Sequence, residues 1–368
     1  MKTLDPFRTV LIFGGAGFIG SNWAHHLLEH TGAKVHVFDN LSRPGVRHNL
    51  ELLRELKVKS GRLQVTVGDV RDAEKVERAA RHASEIYNFA AQVAVTTSVL
   101  DPRLDFEVNL QGTFNILEAA RKSDRRPFLL FTSTNKVYGG LRSHPVRVRG
   151  RRYEYEQSQG ISEAQPLDFH SPYGCSKGAA DQYVRDYARI YGLPTVVLRM
   201  SCIAGPRQFG NEDQGWVAHF LYSTMAGTPL TIYGDGRQVR DVLCVHDLLR
   251  VFEAVFTAQD VTAGRVYNVG GGPANTVSLL ELIDLIESLT GRRPRVQREA
   301  ARPGDQLVYI TDIGRLRRDT GWEPQDRVCD TLVKIYEWWK RDPALFMPAA
   351  NLSSLSVPSL ERVPGTAL

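Results

Sequence analysis

The chain has 368 residues, 42% apolar and 24% charged, enough for one large or two ordinary cores and unlike a disordered segment. No apolar run reaches the roughly 18 residues of a membrane span, and a strand begins within about ten residues of the N-terminus where an export signal would lie. A cytoplasmic protein with no membrane partner is expected. The net charge of +5 permits an anionic ligand, but the basic residues are spread out. Their one cluster, Arg292, Arg293, Arg295 and Arg298, accompanies no nucleic-acid motif and reads as a solvated face. Cysteines 175, 202, 244 and 329 have neither metal-ligand spacing nor disulfide density, so no metal is expected.

Thr9 to Phe13 is a β-branched apolar run of the buried parallel-strand type, and it enters Gly14-Gly15-Ala16-Gly17-Phe18-Ile19-Gly20. Glycines at 14, 17 and 20 permit a tight turn and a close backbone approach. A helix from Phe18 to about His30 would then aim its first amides, including those of Phe18 and Ile19, at a pyrophosphate. The next strand, Lys34 to Phe38, ends in Asp39 and Asn40, about 20 residues past the glycines, where an acid accepts bonds from the adenosine ribose. An acid there favours NAD over NADP; Arg43 nearby keeps NADP as the lesser reading.

Two further strands lead to Gly68-Asp69-Val70 and to Ala90-Ala91-Gln92, both on the cofactor side of the sheet. Asp69 can reach an adenine amino group, or cap a loop or the helix beginning near Ala73. A helix over about 104–121 contains Asn109, polar within an amphipathic pattern, and a strand from Phe128 opens into Ser133-Thr134-Asn135-Lys136-Val137-Tyr138-Gly139. Residues 141–165 are basic and aperiodic and are expected to form an excursion over the substrate side or a surface loop. The helix from His170 to Tyr191 begins with Tyr173 and Lys177, four residues apart and so on one face. A phenol beside an ammonium is a candidate base for a hydroxyl proton. Alternation weakens beyond Arg199. Arg207 and Gln208 precede a helix start near Trp216, where Arg207 could neutralise a phosphate, and 343–368 is Pro- and Ser-rich without period.

On the glycine motif, Asp69-Val70, Thr134, Tyr173 and Lys177 taken in order, the chain resembles the extended short-chain dehydrogenase/reductases of the nucleotide-sugar epimerase and dehydratase group. The resemblance covers about residues 7–340. It implies an α/β Rossmann-type doubly wound sheet over 1–199, with about 241–270 returning to it, a substrate domain over 200–340 and a tail over 341–368. It implies bound NAD held by Gly14, Gly17, Phe18, Ile19, Gly20, Asp39, Asn40, Asp69, Val70, Ala90, Ala91, Gln92, Asn109, Tyr173 and Lys177. The catalytic residues would be Thr134, Tyr173 and Lys177. Thr134, Arg207, Gln208, Arg240 and Arg302 would meet a sugar nucleotide, the last two arginines clasping its diphosphate. A homodimer through the Tyr173 and Asn109 helices is expected from the family.

The family's 4,6-dehydratases carry Thr-Asp-Glu where this chain has Thr134-Asn135-Lys136, so elimination lacks its proton carriers. Four blocks (133–139, 167–183, 207–216 and 236–243) resemble most closely the subgroup of CDP-paratose 2-epimerases, also called CDP-tyvelose epimerases. Ala204 departs from the tyrosine many members carry before Gly-Pro. The resemblance implies transient oxidation at carbon 2 and return of the hydride to the other face. Oxidation at carbon 4, as in UDP-sugar 4-epimerases, is the rival within the class. A non-catalytic NAD(H)-binding protein is the rival outside it and predicts damage to the intact trio.

Overall fold

The computed structural model describes residues 8–302 and 305–346, apart from the side chains of residues 57–59. The first half alternates as its periodicity predicts: β1 (Thr9–Phe13), α1 (Phe18–His30), β2 (Lys34–Asp39), α2 (Val46–Ser60), β3 (Leu63–Val67), α3 (Ala73–Ala80) and β4 (Glu85–Asn88). Then come α4 (Val95–Leu100), α5 (Pro102–Phe106), α6 (Gly112–Lys122) and β5 (Phe128–Thr134). The uniform helix expected over 104–121 is interrupted, because Glu107–Gln111 is a π-helical turn. The widened turn contains Asn109, whose side chain is held inward by partners on two other segments.

The insertion 141–165 is more ordered than expected. It carries the antiparallel hairpin β6 (Val146–Arg149) and β7 (Arg152–Tyr155), turning at Gly150 with φ 58°. Four-residue strands are too short to announce a period; they are held by long-range bonds, from the Tyr155 hydroxyl to the Val308 carbonyl and from Arg152 to Glu281. α7 (Ser171–Tyr191) ends at Gly192, whose φ of 62° is the left-handed cap that glycine favours, and β8 (Thr195–Met200) follows.

The second half contains β9 (Cys202–Ala204), α8 (Trp216–Ala226), β10 (Leu230–Tyr233), β11 (Val239–Cys244), α9 (Val245–Thr257), α10 (Gln259–Thr262) and β12 (Arg265–Val269). It continues with β13 (Thr276–Ser278), α11 (Leu279–Thr290), β14 (Val296–Glu299), β15 (Val308–Tyr309), α12 (Gly314–Thr320) and α13 (Val328–Arg341). Seven strands form one parallel sheet, ordered β12-β8-β5-β4-β1-β2-β3 and covered by helices on both faces, the doubly wound Rossmann-type arrangement. β1 and β4 are neighbours at the point where strand order reverses, the place such sheets reserve for ligands.

Two details correct the expected division of the chain. The return to the main sheet begins at Val245, since β11 pairs with β9, β13 and β15, outside that sheet. Residues 314–322 return as well, because Leu316 and Trp322 are buried in the core that contains α1, α9 and β12. A separate core joins α8, α11 and α13. The tail expected over 341–368 lies outside the described residues beyond Phe346.

One buried ion pair fastens the helix of Tyr173 to the sheet. Arg199 of β8 is 3% exposed and forks onto Asp181 of α7, 0% exposed, at 2.8 and 2.9 Å, and it also donates to the Tyr138 hydroxyl at 3.1 Å. Truncating one partner strands a buried charge. Arg199→Ala is expected to lower unfolding free energy by about 3–5 kcal/mol, measured by chemical denaturation.

Candidate active site

The Gly14–Gly20 loop explains its own glycines. Gly14 has φ 72°, and a Cβ there would stand 2.7 Å from the Ala90 nitrogen, so the chain leaving β4 packs directly on the loop. A Cβ at Gly20 would stand 2.2 Å from the Gly14 carbonyl oxygen. At Gly17 the nearest atom is the Gly14 oxygen, at 3.1 Å, and nothing else lies within contact range. The fold therefore needs glycine at 14 and 20, whereas at 17 the open side is free for a ligand to approach the backbone. Gly17 is also the N-cap of α1, with no side chain bonded to that first turn. Its unpaired amides, with the side chains of Phe18 and Ile19 turned into the core, make an anion cradle.

Asp39 stands beside this cradle, accepting from the amides of Ala16 (3.0 Å) and Leu41 (2.8 Å). Burial raises its carboxyl pKa against those bonds. Asn40 donates to Asp69 at 3.0 Å. Asp69 is chiefly bound by Arg71, which holds its carboxyl at about 2, and it closes its own loop. The helix-capping alternative for Asp69 is corrected, since Asp72 caps α3. Val70 turns its side chain into the core against Gly112, leaving only its backbone to meet a cofactor. Asn109 is 1% exposed and bonds both main-chain groups of Gln92 at 2.9 and 3.0 Å. Direct contact of Asn109 with a cofactor is corrected to a positioning role for the half-buried Ala90-Ala91-Gln92 segment.

β5 delivers Thr134, 8% exposed, to the mouth of the sheet, where its hydroxyl donates to Asn135 at 3.4 Å, and α7 brings the Tyr173 phenol close enough for that hydroxyl to favour its ionised form. One turn on, the Lys177 ammonium donates to the Thr132 carbonyl at 2.6 Å and lies 4.1 Å from the Phe131 ring centre. Burial pushes Tyr173 up to about 12 and Lys177 down to about 7, the latter opposed by Asp181 and Asp105. Neither shift suits a base at neutral pH unless more positive charge arrives beside the phenol. Asp105, 0% exposed, takes the Ser176 hydroxyl and the Asn109 amide. The sequence reading missed Asp105, although it lies four residues from Asn109 on one helical path.

The three expected substrate arginines diverge. Arg240 donates to Asp305 at 2.8 Å, and Lys136 reaches the same carboxylate oxygen at 3.4 Å. Arg302 pairs with Asp213 at 3.2 Å and lies 3.9 Å from the Tyr233 ring centre. Arg207 donates to the Ser21 carbonyl of α1 at 3.1 Å, so its phosphate role at the α8 N-terminus is corrected: the side chain folds onto α1 toward His25 and Glu29. Gln208 is buried and donates to the Ile203 carbonyl at 3.1 Å, shaping its own loop. Arg43, unassigned except as a minor NADP signal, lies within electrostatic reach of both Asp39 and Tyr173 and donates to Gln214. Cys244, His246 and Asp326 come within 4.8 Å of one another, but the Lys334 ammonium already pairs with Asp326.

A glycine cradle at the reversal point, an acid after β2 and a Thr-Tyr-Lys trio define an NAD-dependent short-chain dehydrogenase/reductase of the extended, nucleotide-sugar kind. The chain belongs to the family described as GDP-mannose 4,6 dehydratase, whose model matches residues 11–335. It is 41% identical to the CDP-paratose 2-epimerase of Salmonella typhi over 89% of this chain and 98% of that one. It is 32% identical to the dTDP-glucose 4,6-dehydratase of Salmonella typhimurium, over 90% and 92%. Among solved structures, the dTDP-glucose 4,6-dehydratase of Streptomyces venezuelae with NAD bound superposes with a TM-score of 0.78 at 30% identity, covering 92% and 98%. The UDP-glucuronic acid 4-epimerase of Bacillus cereus, in complex with UDP-glucuronic acid and NAD, gives 0.77 at 26% identity, covering 90% and 99%. The chain is an NAD-dependent nucleotide-sugar epimerase.

Gly17→Ala is expected to fold with nearly unchanged thermal stability and to carry far less NAD after purification, read from the absorbance of released cofactor. Gly20→Ala should lose stability instead, because its Cβ would meet backbone.

Proposed function

We propose that the protein inverts carbon 2 of CDP-paratose to give CDP-tyvelose. The observation that carries this reading is the Tyr173 phenol brought beside Thr134, on a loop that offers Asn135 and Lys136 and no carboxylic acid. The 41% identity to a CDP-paratose 2-epimerase, over nearly all of that protein, supports carbon 2 and the CDP group. The full-length trio speaks against a non-catalytic protein.

Tyr173 takes the proton of the carbon 2 hydroxyl while Thr134 holds that oxygen, and the Lys177 ammonium favours the phenolate. Bound NAD, which the Gly14–Gly20 loop and Asp39 would hold, would supply the positive ring that further lowers the phenol pKa and would take up the carbon 2 hydride and give it back. The planar 2-keto sugar then presents its other face, and Tyr173 returns the proton. Rotation of the sugar within a bound complex requires that the nucleotide stay anchored while the ring is free.

Purified protein given CDP-paratose without added cofactor should yield inversion at carbon 2 by NMR, with Tyr173→Phe slower by about 10²–10⁴-fold. Inversion at carbon 4 of a UDP-sugar would contradict the carbon 2 assignment, and bound NAD with no turnover on any sugar nucleotide would contradict catalysis.

A homodimer in the cytoplasm completes the proposal. Leu100, Phe106, Phe114, Tyr183 and Ile190 are 42–86% exposed on α4 to α7, and the Phe114 and Tyr183 rings already meet at 6.0 Å. Among the described residues no helix is long and apolar enough to cross a membrane, and all four cysteines are free. Sedimentation velocity should give a dimer that Phe114→Glu with Ile190→Glu converts to monomer; a monomeric wild type would overturn it.

A further inference from the structure

We infer that Lys136 and Arg240 together grip the sugar-bearing phosphate of the substrate, with Asp305 as the carboxylate that aligns both cations. The inference rests on the nucleotide-sugar reading above and assigns Lys136 a role in it.

Lys136 and Arg240 converge on one oxygen of Asp305, at 3.4 and 2.8 Å. Among the described residues, Asp305 is the only carboxylate within 4 Å of either cation. Two cations on one carboxylate leave one positive charge uncompensated, and a singly ionised phosphate oxygen matches it. Burial lowers the Lys136 pKa, with Arg240 acting the same way and Asp305 opposing. Burial alone would raise Asp305, but Arg240 and Lys136 outweigh it and keep the carboxyl below its usual range. The nearby Cys202 thiol adds no anion: burial raises its pKa, and its sulfur accepts from the Trp216 indole at 3.2 Å.

Side-chain chemistry points the same way. An ammonium has three donors, so one bond to Asp305 leaves two for a ligand. Arg240 spends one nitrogen on the Val239 carbonyl and one on Asp305, fixing its fork against β11. The other cations expected at the diphosphate are committed elsewhere, Arg207 to the Ser21 carbonyl and Arg302 to Asp213 and the Tyr233 ring.

Position supplies the link to the reaction. The Lys136 amide donates to the Thr134 hydroxyl oxygen at 3.3 Å, so one short turn carries both the reacting-hydroxyl partner and the phosphate cation. Carbon 2 is bonded to the anomeric carbon that bears the phosphate, whereas carbon 4 lies across the ring. A phosphate held by the catalytic turn itself therefore presents carbon 2 to Thr134 and Tyr173.

The bland alternative is a brace, with Lys136 and Asp305 merely tying the catalytic loop to the chain at Asp305. The two separate by calorimetric titration of the NAD-loaded protein with CMP and CDP, and with UMP and UDP. If Lys136 meets the second phosphate, Lys136→Met weakens CDP by about ten-fold or more while CMP stays within about two-fold. Lys136→Arg, which keeps the charge, should retain most of the wild-type preference for CDP over CMP, and it carries the test if the methionine variant fails to fold. Equal losses for CMP and CDP, unchanged CDP affinity in Lys136→Met, or loss of the CDP preference in Lys136→Arg would overturn the assignment. A wild type that fails on CDP-paratose but keeps a Lys136-dependent diphosphate increment with CDP or UDP would sink only the carbon 2 reading.

Discussion

The bond from the Lys177 ammonium to the Thr132 carbonyl is the constraint on which the rest of the site depends. It pins the second turn of α7 to the end of β5, which holds Tyr173, one turn earlier, beside Thr134. An ammonium 3% exposed is costly, and its pKa near 7 registers that cost. The Phe131 ring, Asp105 and Asp181 offset it, and Asp181 is in turn held by Arg199. The ammonium is thus embedded in the packing that fixes α7 against the sheet.

The two halves of the molecule are joined across the cofactor side by a set of side-chain hydrogen bonds. Asn22 of α1 reaches the Pro206 carbonyl, and Asn49 of α2 reaches the Arg207 carbonyl. Arg207 returns a bond to Ser21, and Phe209 sits where a side chain at Gly45 would clash. The segment 206–214 therefore overlies the cofactor half while its other end begins the substrate half at α8. In an epimerase a sugar must turn over without leaving, and this arrangement keeps the nucleotide anchors in one frame with the trio.

What the sequence disclosed was what short-range spacing encodes. The glycine turn, Asp39 after β2, the i and i+4 pair in α7 and the Gly192 stop are all local, and each lies where its spacing predicts. What it hid depended on tertiary choice. Arg207 has a long side chain that could point either way, and the packing of α1 decided its direction. Asn109 was placed at the cofactor by the family resemblance; its partners on Gln92 and Ser176 are 17 and 67 residues away in sequence. The hairpin at 146–155 and the return of 314–322 are fixed by contacts with distant strands, which no local period reports. Asp305 meets its two cations from 65 and 169 residues away, beyond the reach of any local spacing.

The central claim is that the carbon 2 hydrogen leaves and returns within one bound complex. Its most direct test is CDP-paratose carrying deuterium at carbon 2, incubated with the protein in ordinary water, with the product read by NMR and mass spectrometry. The account predicts CDP-tyvelose that keeps the deuterium at carbon 2 with inverted configuration. Replacement of that deuterium by solvent hydrogen, or a product unchanged at carbon 2, would contradict it.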